Sequence, residues 1–289
     1  MAADKTYRKA AATVENLLGV AISHESIRQE VITAGEHLSK WDEPTALDET
    51  GKREASFLII EADGAQIRWQ QRGLARKKRK KNKNFELKTA VVYEGWEIEA
   101  PGAKRTKLKN PTYFVHGGSG EEFWPALERH LSRIYALDSC TRIIIGGDGS
   151  SWVRKGVDYF GGEYQYCRFH LKRDLTSLFG QNPKIKKALE LTFAKGDREA
   201  FNLSIETLIN KEEEKTKEEL LNFQGLMNNV WEGIVDWRNR SGPKPELASG
   251  LGAIEPSVGH TIARRFKHIG ASWSVLGANS LSCGTMCSP

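Results

Sequence analysis

Two apolar runs of the chain each end in an Asp-Gly pair. The first run ends in Asp63-Gly64 and the second ends in Asp148-Gly149. Short β-branched runs closed by glycine are typical of buried strands. An aspartate at such a strand end lies where open α/β sheets bind their ligands. Two carboxylates that converge there repel each other unless a cation lies between them. The pattern therefore predicts metal-dependent chemistry on a substrate that carries phosphate.

A third acidic residue, Glu255, lies at the start of a predicted helix. Pro256 follows it at the first helical position, which proline favours. On a helical projection Glu255 falls within an apolar stripe, and a carboxylate aimed at a core is costly unless it is paired or bound to metal. We therefore expect Glu255 to join the two aspartates in one site. The alternative is that Glu255 caps its own helix at the solvent edge.

Positive charge is clustered in a chain whose formal net charge is +6. A dense basic run follows the first aspartate strand and precedes a strand predicted at 85–93, so it should project from the same sheet as Asp63. Such a run binds DNA phosphates through counterion release, although a solvated hairpin tip would have the same composition. The run consists of Arg76, Lys77, Lys78, Arg79, Lys80 and Lys81.

The hydrophobic and polar patterns divide the chain into four segments. Residues 1–50 are predicted to be helical, either as a helix-turn-helix DNA-binding unit or as an ordinary helical hairpin, with Ser23 capping the second helix. Residues 53–170 alternate strands and helices, residues 171–245 form a helical insertion, and residues 246–289 contain the last helix and a C-terminal tail. The strands are predicted near 56–63, 66–71, 85–93, 111–116, 142–147 and 163–168, which indicates a mixed α/β sheet with flanking helices.

Composition narrows the classes of protein to be considered. A chain of 289 residues with 39% hydrophobic content can form one large core and an appendage. It contains no apolar run long enough to span a membrane and no secretory signal at its start, so we expect no membrane partner. The cysteines show no disulfide spacing, which favours a reducing cytoplasm. They are Cys140, Cys167, Cys283 and Cys287.

The order Asp63, Asp148, Glu255 resembles the Asp-Asp-Glu triad of ribonuclease-H-like transposases. More closely, the chain is similar to the Lre-type insertion-sequence transposases of bacteria, which are related to the Mutator-like group. The resemblance runs from about residue 7 to residue 278 and implies a ribonuclease-H-like fold with a helical insertion before the glutamate. It is carried by Glu61-Ala62-Asp63-Gly64, Tyr93-Glu94-Gly95-Trp96, Gly147-Asp148-Gly149-Ser150, Glu255, Arg264-Arg265-Phe266-Lys267 and Trp273-Ser274.

This resemblance implies an enzyme that cleaves DNA at the ends of an insertion sequence and joins them to target DNA. The acidic triad would be both catalytic and metal-binding, with two Mg²⁺ ions for which Mn²⁺ can substitute. Double-stranded DNA, at element ends and target, would be the partner of a homo-oligomer assembled in the bacterial cytoplasm at the nucleoid. Further DNA contacts would come from Arg264, Arg265 and Lys267.

Cys167-Arg168-Phe169-His170 resembles a Cys-x-x-His element that related transposases carry between the second aspartate and the glutamate. Two ligands cannot complete a structural zinc site, which needs four. Cys283 and Cys287 could supply the others, but they lie in a segment that departs from the family pattern. We therefore expect Cys167 and His170 to have a structural or DNA-positioning role beside the acidic site.

Three other functions fit parts of the pattern. A haloacid-dehalogenase phosphatase would need an aspartate nucleophile two places before Asp63, where Glu61 stands, and an acid after the second motif, where Ser151-Trp152 stands. A structure-selective nuclease of the same fold would cut without joining. Finally, both ends of the chain differ from the family pattern, so a truncated and inactive DNA-binding remnant of a transposase is a further expectation.

Overall fold

The computed structural model describes residues 6–41, 52–71, 83–211, 213–267 and 271–286. Within these residues five strands form the central sheet, and two short ones form a separate hairpin, β3 (Trp96–Ile98) and β4 (Thr106–Leu108). The strands of the sheet are β1 (Phe57–Arg68), β2 (Asn84–Tyr93), β5 (Thr112–His116), β6 (Arg142–Gly147) and β7 (Glu163–Tyr166). Their order across the sheet is β5-β2-β1-β6-β7.

The sheet combines antiparallel and parallel pairing. β1 pairs antiparallel with β2, which in turn pairs antiparallel with β5. On the other side of β1, β6 runs parallel to it, and β7 runs parallel to β6. Parallel neighbours need crossover connections, and helices provide them on both sides of β6. The predicted mixed α/β sheet with flanking helices is confirmed.

The prediction of two separate strands at 56–63 and 66–71 is wrong. β1 is one continuous strand, because its pairing with β2 extends without interruption from Ile59 to Arg68. Gly64 lies within this ladder opposite Lys88 and forms no turn. Asp63 is therefore inside a strand. On the side of β6 the pairing with β1 stops at Ala62, so on that side Asp63 lies just beyond the end of the neighbouring strand.

Helices cover the sheet and fill the segment before Glu255. Among the described residues, α5 to α8 lie in the chain between β7 and α9, where the helical insertion is predicted. The helices are α1 (Tyr7–Leu18), α2 (His24–Trp41), α3 (Gly120–Ser132), α4 (Ser151–Phe160), α5 (Arg168–Phe179), α6 (Pro183–Lys195), α7 (Arg198–Ile209), α8 (Glu214–Asn229), α9 (Ile254–Ser257), α10 (Arg264–Phe266) and α11 (Val275–Met286). A π-helical segment, Val258–Ala263, joins α9 to α10.

β1 is buried on both faces, as expected for a strand with parallel and antiparallel neighbours in the middle of a covered sheet. On one face Leu58 and Ile60 belong to the apolar core that includes α3, α4 and the insertion helices. On the other face Phe57 and Ile59 belong to a second core, to which Ile254 of α9 contributes. The alternation of side chains along β1 thus determines which helices lie over each face.

The two ends of the described chain pack against each other. Ser23 accepts a hydrogen bond from the Ser26 N–H at 3.0 Å, which confirms its predicted role as the cap of α2. Further along α2, Gly35 lies directly against Ser280 of α11, so close that a Cβ at Gly35 would overlap it. The segment predicted as a C-terminal tail is therefore helical as far as Met286 and packs against the N-terminal helices.

Within the described residues, no helix combines the length and the apolar character that crossing a lipid bilayer requires.

The contact between α3 and α4 gives a test of this arrangement. A Cβ on Gly156 of α4 would lie 2.4 Å from the buried ring of Trp124 in α3. We expect Gly156→Ala to lower the free energy of unfolding by about 1 to 3 kcal/mol, because the indole cannot move without disturbing the core. The matched control is Gly225→Ala in α8, where nothing lies within 4 Å, and which should gain roughly 0.5 to 1 kcal/mol. Urea denaturation measures both, and equal stabilities of the two variants would contradict this packing.

Candidate active site

Asp63 lies on β1, and Asp148 lies beside it in the bend that directly follows the neighbouring parallel strand β6. β1 and β6 are in register up to the pair Ala62 and Gly147, and the two aspartates are the next residues along each strand. Hydrogen-bonded strands lie about 4.8 Å apart, and residues in register point to the same face of a sheet. The carboxylates predicted from the two Asp-Gly pairs therefore share one face.

Two glycines shape the backbone around Asp148. A Cβ on Gly147 would lie 2.6 Å from Val153 and 2.7 Å from the carbonyl oxygen of Ala62, so only glycine allows β1, β6 and α4 to approach this closely. Gly149 has a φ of +87°, the left-handed region that favours glycine, and it turns the chain from β6 into α4. Within this turn Asp148 Oδ1 accepts a hydrogen bond of 3.0 Å from the Ser150 N–H.

Glu255 reaches the same face of the sheet from α9. Its neighbours Ile254 and Val258 pack into the apolar core formed with Ile59 and Ile144, which holds α9 against that face. The helix begins at Ile254, so Pro256 occupies its third position and not the predicted first one. The Glu255 carboxylate is partly buried.

The charges of Glu255 and Asp148 both act on the carboxylate of Asp63. Burial, and after it the charges of Glu255 and Asp148, raise the pKa of Asp63 to about 6. A hydrogen bond from the Gly64 N–H at 2.8 Å and the charge of His170 act in the opposite direction. Three oxygen-donor side chains that repel one another form a suitable ligand set for a hard divalent cation.

Glu61 holds the helix that carries Glu255 onto the sheet, and it is a residue whose role the sequence did not reveal. Its buried carboxylate accepts hydrogen bonds from the N–H groups of Gly252, Ala253 and Ile254 at 2.8, 3.2 and 3.4 Å. The Tyr93 hydroxyl donates a further hydrogen bond at 2.5 Å. Burial raises the pKa of Glu61, while these donors favour its charged form. Glu61, and not Glu255, therefore caps the start of α9.

A signal for this role exists in the sequence. Glu61 is a lone carboxylate in an otherwise apolar run, at a position two residues before Asp63 and therefore on the same face of β1. A buried charge of this kind needs partners, but the run itself does not show that the partners come from residues 252–254.

Cys167 and His170 lie against Glu255, as expected for residues beside the acidic site. The Cys167 N–H donates a hydrogen bond of 2.9 Å to the carbonyl oxygen of Gly147, which ties the start of α5 to the end of β6. His170 Nδ1 lies 3.4 Å from Glu255 Oε1, and Cys167 Sγ lies 3.9 Å from the same oxygen. Burial raises the pKa of the Cys167 thiol to about 11.

The predicted DNA-binding residues have different surroundings. Arg264 and Lys267 are exposed near the end of the helical segment that starts at α9. Arg265 is buried, and its guanidinium lies 4.8 Å from the ring centroid of Trp273. We therefore assign Arg265 to packing and correct its prediction as a DNA contact, since a buried guanidinium cannot reach a phosphate. The basic run at 76–81 lies outside the described residues.

Comparison with known proteins identifies the family. A family model described as "Uncharacterised protein family (UPF0236)" matches residues 1–282. The chain belongs to this family. It is 27% identical over 289 residues to the "UPF0236 protein in vanSb 3'region" of Streptococcus gallolyticus. That match covers 97% of the chain and 60% of the relative, so the chain spans about 60% of the relative's length. Neither description names an activity, so the resemblance to transposases stays a proposal.

The contact between Glu61 and α9 leads to a first prediction for the site. Glu61→Gln keeps the shape of the side chain but replaces one of the two accepting oxygens with an amide that donates. At least one buried N–H is then left without an acceptor, and we expect a loss of about 1 to 3 kcal/mol in the free energy of unfolding. Hydrogen exchange at residues 252–254 should accelerate. Tyr93→Phe removes a single donor to the same carboxylate but leaves the N–H groups of residues 252–254 with their acceptors. It is the control, and it should cost about 1.5 to 3 kcal/mol without accelerating exchange at these residues. Exchange rates unchanged in Glu61→Gln would refute the capping role.

A second prediction concerns the pH dependence of stability in metal-free protein. The pKa of Asp63 is about 6 in the folded state and 3.8 ordinarily, so the folded state binds more protons between these values. Its contribution to stability therefore falls as the pH rises from about 4 to about 6 and stays low above that range. Asp63→Asn should remove this fall and raise the melting temperature at pH 7. Asp158→Asn, on the exposed side of α4, should leave the profile unchanged. Thermal melts across this pH range measure the effect. If the melting temperature of Asp63→Asn changed with pH in the same way as that of the unsubstituted protein, the buried position of the carboxylate would be contradicted.

Proposed function

We propose that this protein is an Asp-Asp-Glu transposase, which catalyses metal-dependent cleavage and strand transfer of insertion-sequence DNA. The proposal is supported by the electrostatic effect that Asp148, which follows β6, and Glu255 of α9 have on the carboxylate of Asp63 in β1. These residues are far apart in sequence, and each is the only one of the three on its element. An exposed group of acidic side chains would not require a buried residue such as Glu61 to fix the helix of Glu255.

The donor set supports a pair of hard divalent cations. Carboxylate oxygens are the ligands that Mg²⁺ prefers in proteins, and positive charge would relieve the repulsion that contributes to the raised pKa of Asp63. Asp63, Asp148 and Glu255 would hold two Mg²⁺ ions, and Mn²⁺ would substitute. When bound, such ions activate an attacking water or 3′-hydroxyl and stabilise the leaving oxygen of an in-line displacement.

The protein's own residues would prepare the site in three ways. The ladder between β1 and β6 keeps the two aspartates at the spacing of adjacent strands. Glu61 keeps α9, and with it Glu255, against the sheet. The hydrogen bond from the Ser150 N–H orients Asp148. Preorganisation of this kind matters because a small displacement of a catalytic group costs much of the rate.

The architecture also supports the proposal of a ribonuclease-H-like core. An antiparallel unit of three strands is followed by two parallel strands and then by a helical segment before the glutamate. This agrees with the fold that the resemblance to transposases implies.

Double-stranded DNA is the proposed substrate, as element ends and as target. Arg264 and Lys267 are exposed on the helical segment that carries Glu255, so they are suited to contact phosphates near the acidic site. The basic run at 76–81 and the net charge of +6 favour a polyanionic partner. The proposed form is a homo-oligomer assembled on DNA at the bacterial nucleoid.

The test is an assay of the purified protein for nicking and joining of element-end DNA with Mg²⁺. We expect cleavage to fall to background in Asp63→Asn, because the carboxylate on the central strand is lost, while DNA binding in a mobility-shift assay is retained. Asp158→Asn, an exposed carboxylate on α4, is the matched control and should cleave normally.

Each outcome of this assay distinguishes one function. Cleavage followed by joining supports a transposase, and cleavage without joining indicates a structure-selective nuclease. DNA binding without any cleavage indicates an inactive remnant. Metal-dependent cleavage that persists in Asp63→Asn would overturn the assignment of the acidic site.

A further inference from the structure

Three side chains with different donor atoms meet beside the acidic site. The ligand atoms of Cys167, His170 and Glu255 all lie within 4.8 Å of one another. Cys167 occupies the N-cap position of α5 without a capping hydrogen bond from its side chain, and His170 follows in the first turn. The spacing of three residues puts both on one side of that helix. Glu255 faces them from α9. Two helices from distant parts of the chain thus form this soft-donor cluster, defined here as Cys167, His170 and Glu255.

The cluster contains a polar atom whose bonding is incomplete. His170 Nδ1 has no contact with solvent and no hydrogen-bond partner within the described part of the chain. Its nearest charged neighbour, Glu255 Oε1, lies at 3.4 Å without the geometry of a hydrogen bond. The Cys167 side chain is also buried, with 3% of its surface exposed. A buried and unsatisfied nitrogen is costly, and a bound ion is one explanation for its position.

The spacing of the ligand atoms fits a tetrahedral ion. Zinc binds nitrogen and oxygen at about 2.1 Å and sulfur at about 2.3 Å, so ligand atoms in a tetrahedral site lie roughly 3.4 to 3.6 Å apart. The observed separations from Glu255 Oε1 are 3.4 Å to His170 Nδ1 and 3.9 Å to Cys167 Sγ. The third pair, the Cys167 sulfur and the His170 ring nitrogen, lies within 4.8 Å. An inward shift of the sulfur towards both other ligands would complete the tetrahedral spacing.

We propose that Cys167, His170 and Glu255 bind a Zn²⁺ ion. This second metal site lies beside the acidic triad and has Glu255 in common with it. Sulfur, nitrogen and oxygen donors together select zinc over magnesium, which takes oxygen ligands. On binding, the Cys167 thiol releases its proton to solvent and its sulfur becomes a thiolate ligand. The fourth position of the tetrahedron is available to water.

A regulatory consequence follows, and it rests on the proposed function. With Oε1 bound to Zn²⁺, Glu255 would have only Oε2 left for an ion held by Asp63 and Asp148, and the zinc would place a second positive charge beside that ion. Zn²⁺ at the soft-donor cluster would therefore weaken the magnesium site by charge repulsion and oppose DNA cleavage. The metal site itself does not depend on this consequence.

Binding is tested with Co²⁺, which replaces zinc and gives a sulfur-to-cobalt charge-transfer band. The background is a Cys283→Ser, Cys287→Ser variant, because these cysteines are four residues apart and could bind metal themselves. In this background we expect one equivalent of Co²⁺ to bind with the thiolate band and to be displaced by Zn²⁺. Cys167→Ser should lose the band, whereas Cys140→Ser, the control, should keep it.

His170→Gln provides a second variant if Cys167→Ser does not fold, as judged by thermal melting. It should weaken Co²⁺ binding by more than roughly 10-fold, because replacing a residue that contacts only the ligands of a metal already costs about that much affinity. Absence of the band from the background protein would overturn the proposal, as would a band that survives in Cys167→Ser or an unchanged affinity in His170→Gln.

The regulatory consequence has its own measurement. With Mg²⁺ present, added Zn²⁺ should inhibit DNA cleavage by the background protein. The activity of each protein is expressed relative to its own activity without zinc, and on this scale the inhibitory concentration of Zn²⁺ should be at least about 10-fold higher for Cys167→Ser. If Co²⁺ binds but no variant cleaves DNA, the zinc site stands and the proposed function fails. If DNA is cleaved but zinc sensitivity is the same in both proteins, the regulatory consequence is wrong.

Discussion

The buried carboxylate of Glu61 is the interaction on which the acidic site depends. It lies on the central strand, on the same face as Asp63, and accepts the N–H groups that open the helix of Glu255. Burying a carboxylate costs several kcal/mol, and hydrogen bonds to a charged group contribute about 1.5 to 3 kcal/mol each. The four donors therefore offset part of the penalty, although burial still raises the pKa of Glu61 overall. The position of Glu255 is thus determined by a residue that is not itself part of the acidic triad.

The site combines two kinds of chemistry around one glutamate. On one side the charge of Glu255 acts on Asp63, on which Asp148 acts as well, and carboxylates suit hard cations. On the other side it faces the thiol of Cys167 and the imidazole of His170, which suit softer ones. The hydrogen bond from the Cys167 N–H to Gly147 joins these sides, because it ties the start of α5 to the strand that precedes Asp148. A displacement of α5 would therefore be transmitted to both sides.

Patterns along the chain predict the parts of this molecule that depend on local signals. The strands, the Ser23 cap and the mixed sheet were accessible because alternation, capping and β-branched runs reflect backbone preferences. The Asp-Gly pair at Asp63 was misleading, since a continuous ladder with β2 outweighs the turn preference of these residues. The three acids were predicted to form one site because two of them follow apolar runs in Asp-Gly pairs and the third falls within an apolar helical stripe.

The unpredicted features depend on contacts between distant segments. The partners of Glu61 lie about 190 positions further along the chain, and no local pattern links them. Likewise, the meeting of His170 with Glu255 depends on how α5 and α9 are oriented across the end of the sheet, which periodicity does not determine. The burial of Arg265 was missed for the same reason, because Trp273 reaches it only after the chain has turned back.

The separation between Glu61 and Gly252, 191 residues, also affects when the site can form during synthesis. A polypeptide still growing on the ribosome contains Asp63 and Asp148 long before residues 252–255 emerge from the exit tunnel. Until then Glu61 lacks its backbone donors, and the third carboxylate does not exist. Contacts of such high sequence separation also form slowly. Translation products that stop before residue 252 would therefore carry two of the three acids but no assembled site.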